Sequence, residues 1–208
     1  HVDWAGHCNG WVSSSILHKY ENIGGIEAQT GVEFSSSDIQ GLRSASHYCT
    51  RNNFYGQRYG STNQDVNDIY PDQFHRLLVY YIRDLQKPLA FDYRVRTSVD
   101  NHIISGYRFV MEPAGGSNRY LVQAIIRAHG YSVGDYVHSR QIAQTYEKTY
   151  WYYMNFDANG NPYGGEWVNP EDHPDFVWSP VSQSRCGNEN PRLDADLVER
   201  LVRSLRSK

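Results

Sequence analysis

The 208-residue chain is short of several things, and each shortage excludes something. No apolar run approaches the roughly 18 residues that a membrane span needs. Neither sign of charge dominates: the net charge is −3, so no basic surface for nucleic acid or an anionic membrane is expected. Lysine is scarce and leucine modest. Cysteine occurs three times, at positions 8, 49 and 186, in a chain long enough to bury a core without covalent staples. In contrast, there are 17 Tyr, 7 Phe and 5 Trp. Such a composition favours strands, and it suits secreted proteins with aromatic-lined grooves.

An odd cysteine count in an oxidising compartment reads as one bridge plus one thiol. Cys49 in "SHYCTRNN" and Cys186 in "SRCGNEN" have polar, loop-like flanks and no cysteine near them, so they form the natural pair. Closing so long a loop would contribute roughly 4–5 kcal/mol in the chain-entropy picture. The alternative is three reduced thiols in a cytosolic protein.

Apolar residues at 11, 12, 16 and 17 mark a first helix that runs toward Gly24-Gly25. "FSSSDIQGLRSASHYC" reads as a second, capped by Ser36 or Ser37, with Ile39, Leu42 and Ala45 inward. Residues 50–69 are polar and aperiodic, which predicts a long loop. Pro71 opens a third helix with Phe74, Leu77, Leu78, Tyr81 and Ile82 on one side. After Lys87-Pro88 the pattern changes. Four β-branched and aromatic stretches, separated by turns at 113–118, 132–135 and 158–165, predict an antiparallel sheet of five or six strands. The tail puts Leu193, Leu197, Val198, Leu201, Val202 and Leu205 on one stripe of a closing helix. Helices first, strands later and a final helix make an α+β domain, one unit over 1–208.

Cys8 stands at the expected start of the first helix. A helix N-terminus favours the thiolate, which is the nucleophilic form. Gly10 would let a substrate carbonyl come near the backbone, with the Cys8 N–H donating to an oxyanion, and Trp11 would wall the pocket. Against this stands the ordinary reading of a cysteine as a small core residue. Thiol chemistry needs a histidine base and an orienting group, and His75 and Asp92 follow in chain order. His75 alone would pass for a polar helix residue, and Asp92 for a turn former. His7 is expected to shape the wall, because neighbours on a helix point in different directions.

The stretches "WAGHCNGW", "DIQGL", "PDQFHRLL", "AFD", "VDNHIISGYRFVME", "GNPYGGEW" and "HPDFVW" together resemble the transglutaminase elicitor family of oomycetes and bacteria, over residues 3–180. The resemblance implies a papain-like, transglutaminase-like fold, with N-terminal helices packed on an antiparallel sheet. It implies Cys8 as nucleophile, His75 as general base and Asp92 as the orienting carboxylate, with Asp38 as competitor for that third role. The reaction implied is acyl transfer from protein glutamine to lysine amines, with deamidation as a side reaction. Protein substrates carrying Gln and Lys are the implied partners. A secreted cysteine peptidase with the same residues is the alternative, and a non-catalytic secreted binding module is a third. The plant-recognised peptide of the oomycete members is not matched: its tryptophan and proline are Asp100 and Ile103 here.

No cofactor is required by this chemistry. Asp157, Asn159, Asn161 and Glu166 are spaced like a short calcium loop, but a Gly/Asn hairpin turn fits them better. "EDHPDFVW" is expected to be an anchored loop over Phe176 and Trp178, the alternative placing His173 or Asp175 at the site. A nucleophile so near a chain start would fray. The expectation is therefore an upstream signal peptide and an inhibitory pro-segment, hence a secreted zymogen.

Overall fold

The computed structural model describes residues 8–19, 21–58, 68–95, 99–116, 118–130, 144–183 and 193–206. His7, Cys186, the turn at 132–135 and residues 59–67 lie outside them. In chain order the elements are α1 (Cys8–Leu17), β1 (Gly25–Ile26), β2 (Glu33–Phe34), α2 (Ser36–Ser46), β3 (Arg51–Gly56), α3 (Pro71–Leu77), a π-helical turn (Leu78–Asp84), β4 (Leu89–Asp92), β5 (Asn101–Pro113), β6 (Arg119–Gly130), β7 (Gln144–Phe156), β8 (Pro162–Trp167), β9 (Phe176–Ser182) and α4 (Ala195–Arg206). They fall into two compact units, one drawn from 1–53 with 180–208 and the other from 54–179.

In the first unit, α1 is shorter than expected and buries a different face. It ends at Leu17, and its buried residues are Gly10, Val12, Ser13 and Ser14 rather than the apolar set at 11, 12, 16 and 17. The reason is close approach to α2. A Cβ built on Gly10 would stand 2.1 Å from the Ser44 carbonyl oxygen, so only glycine fits there. Helix α2 starts one residue earlier than predicted. Ser35 is its N-cap, accepting from the Asp38 N–H while Asp38 accepts from the Ser35 N–H in a reciprocal capping box. Ile39 packs with Val202 and Leu205 of α4, so the closing helix docks by the predicted stripe. Leu197 is the exception and is exposed.

The second unit is built on the sheet. Its strand order is β3-β9-β4-β5-β6-β7-β8, seven strands rather than five or six. Strands β4 to β8 form a meander of antiparallel chain neighbours, with β6 paired along its whole length to β7. β9 begins within the segment expected to be an anchored loop, and β3 falls in the long stretch also read as loop. Its "RNNFYG" sequence is polar because its first four residues are exposed on an edge strand, where alternation is not required. The β5–β6 turn falls where predicted, with Gly115, Gly116 and Asn118 at positive φ. Pro71 opens α3, and Phe74, Leu77, Leu78 and Tyr81 enter the core with Leu89, Phe91, Ile104, Tyr150 and Tyr152. The helix then widens, and the Leu85 N–H reaches the Tyr80 carbonyl.

Candidate functional site

Cys8 is the first residue of α1 and is half-buried. Its place in the first turn of the helix is the one the sequence predicts for a thiolate. The next residue fixes that end. Asn9 donates from Nδ2 to the Tyr48 carbonyl oxygen at 2.8 Å, beyond the end of α2. Gly10 locks the helix pair as described. Its missing side chain is therefore used by α2, whereas the sequence suggested substrate. Trp11 is half-buried beside it.

His75 lies on α3 in the second unit. Its ring stacks on Phe109 with centroids 3.9 Å apart, and its Nδ1 is 2.9 Å from the Tyr152 hydroxyl. Tyr152 is fully buried, and among the described residues His75 is the partner of that hydroxyl. A buried O–H donates where it has one acceptor, so Tyr152 donates to Nδ1 and the ring is the neutral Nε2–H tautomer. Burial pushes the imidazole down to about 4.

Asp92 ends β4 and is wholly buried. The Asp100 N–H donates to Oδ1 at 2.8 Å, and Oδ2 has no hydrogen-bond partner among the described residues. Burial raises its pKa to about 7. The Asp100 N–H opposes the rise, and the Asp175 and Asp100 carboxylates add to it. The strand register decides its neighbours. Asp92 pairs with Asn101 and Ala90 with Trp178, on one face of the sheet. Leu89, Phe91, His102, Ile104 and Val177 take the other face, which is the core face that holds Phe109, Tyr152 and His75. The structure thus does not bring Asp92 to His75; the sheet stands between them. Asp38 is exposed and engaged by Ser35 in the α2 cap.

Two pairs were not singled out from the sequence. The Trp178 indole N–H donates to Asn101 Oδ1 at 3.0 Å, buried. His102 Nδ1 meets the Tyr146 hydroxyl at 2.5 Å, and burial holds this imidazole at about 4. The signal was present in "VDNH" and "DFVW", polar residues within otherwise apolar strands, but it shows only once the register is known. His173 anchors its loop as expected: it donates from Nδ1 to the Pro174 carbonyl at 2.9 Å and stacks on Trp167. Phe176 and Trp178 are buried. Asp157 accepts from the Asn159 and Asn161 N–H groups at 2.8 Å, so the loop that also suggested calcium is a hairpin turn. Glu166 pairs instead with Arg119.

The fold is the α+β fold of transglutaminase-like proteins. It is similar to the crystal structure of the GP42 transglutaminase from Phytophthora sojae, with a TM-score of 0.67 and 20% sequence identity, over 98% of this chain and 64% of that one. This chain therefore spans less than two thirds of its structural neighbour. The family model described as Transglutaminase elicitor matches residues 119–190, from β6 through β9. The family of that partial match is the one the sequence motifs resemble. No curated protein sequence matches significantly. Among the described residues, no helix is long and apolar enough to cross a membrane.

Proposed function

We propose that the chain is a protein-glutamine γ-glutamyltransferase that acts outside the cell. The observation that supports this most directly is Cys8 at the N-terminus of α1 in a transglutaminase-like fold. In this reading the Cys8 thiolate attacks the carbon of a glutamine carboxamide. The C–N bond breaks, ammonia leaves with a proton, and a thioester remains. A lysine amine then attacks the thioester carbon, the C–S bond breaks, and an isopeptide bond joins two proteins. Water in place of the amine yields glutamate. The developing oxyanion is met by backbone N–H groups at the start of α1, Cys8 among them.

His75 is the base in this reading, and Tyr152 does the orienting that was expected of Asp92. To accept the thiol proton at Nε2, the ring must exchange tautomers, with Nδ1–H then donating to the Tyr152 oxygen. Asp92 serves the β4–β5 hairpin, whose Asn101 accepts from Trp178 of β9. Cys49 and Cys186 are proposed to form the bridge of an exported protein, which leaves Cys8 for chemistry. Peptide mapping without reductant should recover the Cys49–Cys186 peptide; a Cys8-containing bridge in active protein would refute both assignments. The decisive experiment for the activity is Cys8→Ala. Incorporation of a labelled amine into a glutamine-bearing protein should vanish, and undiminished labelling sinks the reading.

One observation favours a second reading, a binding module with an idle cysteine box. His75 is a weak base in this geometry, and among the described residues its ring nitrogen meets the Tyr152 hydroxyl rather than a carboxylate. A Cys8 thiol that reacts with iodoacetamide no faster than a model thiol, together with no amine incorporation by the parent protein, would establish that reading.

A further inference from the structure

The first unit holds a cluster that the acyl-transfer chemistry does not use. His18, just past α1, and His47, the C-cap of α2, point their Nε2 atoms at each other across 2.7 Å. The side-chain amide nitrogen of Gln183, just after β9, comes within 2.9 Å of the same His47 Nε2. His47 is 1% exposed, whereas the His18 side chain keeps 24% of its exposure, so the cluster is reachable from one side.

The hydrogen bonds fix the protons. Thr50 donates its one hydroxyl proton to the His47 carbonyl oxygen at 2.7 Å. Its oxygen is 3.2 Å from His47 Nδ1 and must therefore accept from it. His47 is the Nδ1–H tautomer, and its Nε2 is a bare lone pair. One lone pair faces two nitrogens, His18 Nε2 and Gln183 Nε2. On the far side of the His18 ring, Nδ1 is 3.9 Å from Glu199 Oε1, a carboxylate held by Arg43. That separation is an ion-pair distance and no hydrogen bond, so in the metal-free protein His18 donates from Nε2 to the bare His47 Nε2, and Glu199 stands on the side to which the proton can shift when Nε2 is needed as a ligand. With that proton moved to His18 Nδ1, two imidazole lone pairs converge beside the Gln183 amide, and a cation can take the place of the proton between them.

We propose that His18 Nε2, His47 Nε2 and the Gln183 amide oxygen form a binding site for a zinc-class divalent ion. Rotating the Gln183 amide by half a turn presents its oxygen where the nitrogen now lies. Both imidazoles already have the outer support that ligating histidines use, Nδ1 against Thr50 in one and toward Glu199 in the other. Imidazole nitrogens with one amide oxygen suit zinc, nickel or copper(II) rather than calcium or magnesium. Zinc bonds of about 2.0–2.1 Å in a tetrahedron require the two Nε2 atoms to move apart to about 3.3 Å, well within a side-chain adjustment. No three His, Cys, Asp or Glu side chains gather into a metal site among the described residues; here the third donor is an amide. The ion would tie the end of α1 to the end of α2 and to the chain leaving β9. Its role is to clamp the helical unit, and it is distinct from the Cys8 chemistry.

The test is calorimetric titration of zinc chloride into the chelator-treated 208-residue protein, with melting temperature followed in parallel. One equivalent should bind saturably and raise the melting temperature. His18→Asn, on the accessible side, should weaken binding by about tenfold or more, and His47→Gln should do the same if it folds. Thr50→Val, which removes only the outer support, should weaken it by about tenfold. Cys8→Ala should bind like the parent. Absence of saturable binding, binding unchanged in His18→Asn, or binding lost in Cys8→Ala would each overturn the proposal.

Discussion

His75 and Asp92 show how far one residue's chemistry depends on what it touches. Each is buried with no opposite charge beside it among the described residues, and each is pushed toward its neutral form, His75 down to about 4 and Asp92 up to about 7. Tyr152→Phe removes the hydroxyl that fixes the His75 ring. Amine incorporation should fall by roughly 10-fold to 100-fold with the fold retained, the order expected when a catalytic base loses its positioning. Parent-like kinetics in that variant would remove Tyr152 from the mechanism. Asp92→Asn makes the opposite test. An amide reproduces the protonated carboxyl, so kcat should stay within about threefold of the parent, against a loss of about 10⁴-fold if Asp92 oriented the base. These residues were legible as candidates because Cys, His and Asp stood in chain order. Their separation was not, because the side of a sheet on which a residue lies depends on pairing that no local stretch encodes.

At the scale of elements, legibility followed the strength of the local signal. Pro71 and the apolar spacing after it gave α3, and the Gly and Asn turns gave the β5–β6 and β7–β8 hairpins. The face of α1 was misread because its packing side is made of small residues. Glycine and serine carry no apolar signal, yet they let two helix backbones approach. β3 was missed because an exposed strand need not alternate. The helix pair offers a sharp test. Gly10→Ala forces a methyl group against the Ser44 carbonyl and should destabilise the protein by about 2–3 kcal/mol, read as a lower urea midpoint. Ser35→Ala should cost about 1 kcal/mol through the lost α2 cap. A Gly10→Ala variant as stable as the parent would mean that α1 and α2 are not in this contact.

Over the whole molecule, the buried titratable groups fix the direction of the pH response. His47, His75 and His102 lie at about 4 against an ordinary 6.5. Between those values the unfolded chain binds three protons that the folded chain refuses, so the stability these groups contribute is lost as pH falls. Asp92 acts the other way. Its folded value of about 7 exceeds the ordinary 3.8, so its contribution is present at low pH and lost as pH rises through 7. Across the shared window the balance is two protons. Inside that window, between about pH 6 and about pH 4.5, stability should drop by up to about 3 kcal/mol per pH unit on acidification, measured by urea unfolding. In Asp92→Asn the drop should steepen toward three protons. A flat profile over that range would show that the three imidazoles are hydrated in solution.

The order of the strands also sets a timetable. β4 through β8 each pair with a chain neighbour, so that meander can zip hairpin by hairpin as loop closures stay short. β9 does not join that sequence. It fills a slot between β3 and β4, strands laid down more than eighty residues before it. Until β9 arrives, β4 has an open edge that any extended chain can occupy. The late strand is thus expected to act as a latch whose departure opens the unfolding path. Val177→Ala in β9 should mainly speed unfolding, whereas Ala124→Gly in β6 should mainly slow folding, as the two arms of a stopped-flow chevron would report. The release rate of one seven-residue strand would then govern how long the folded molecule lasts.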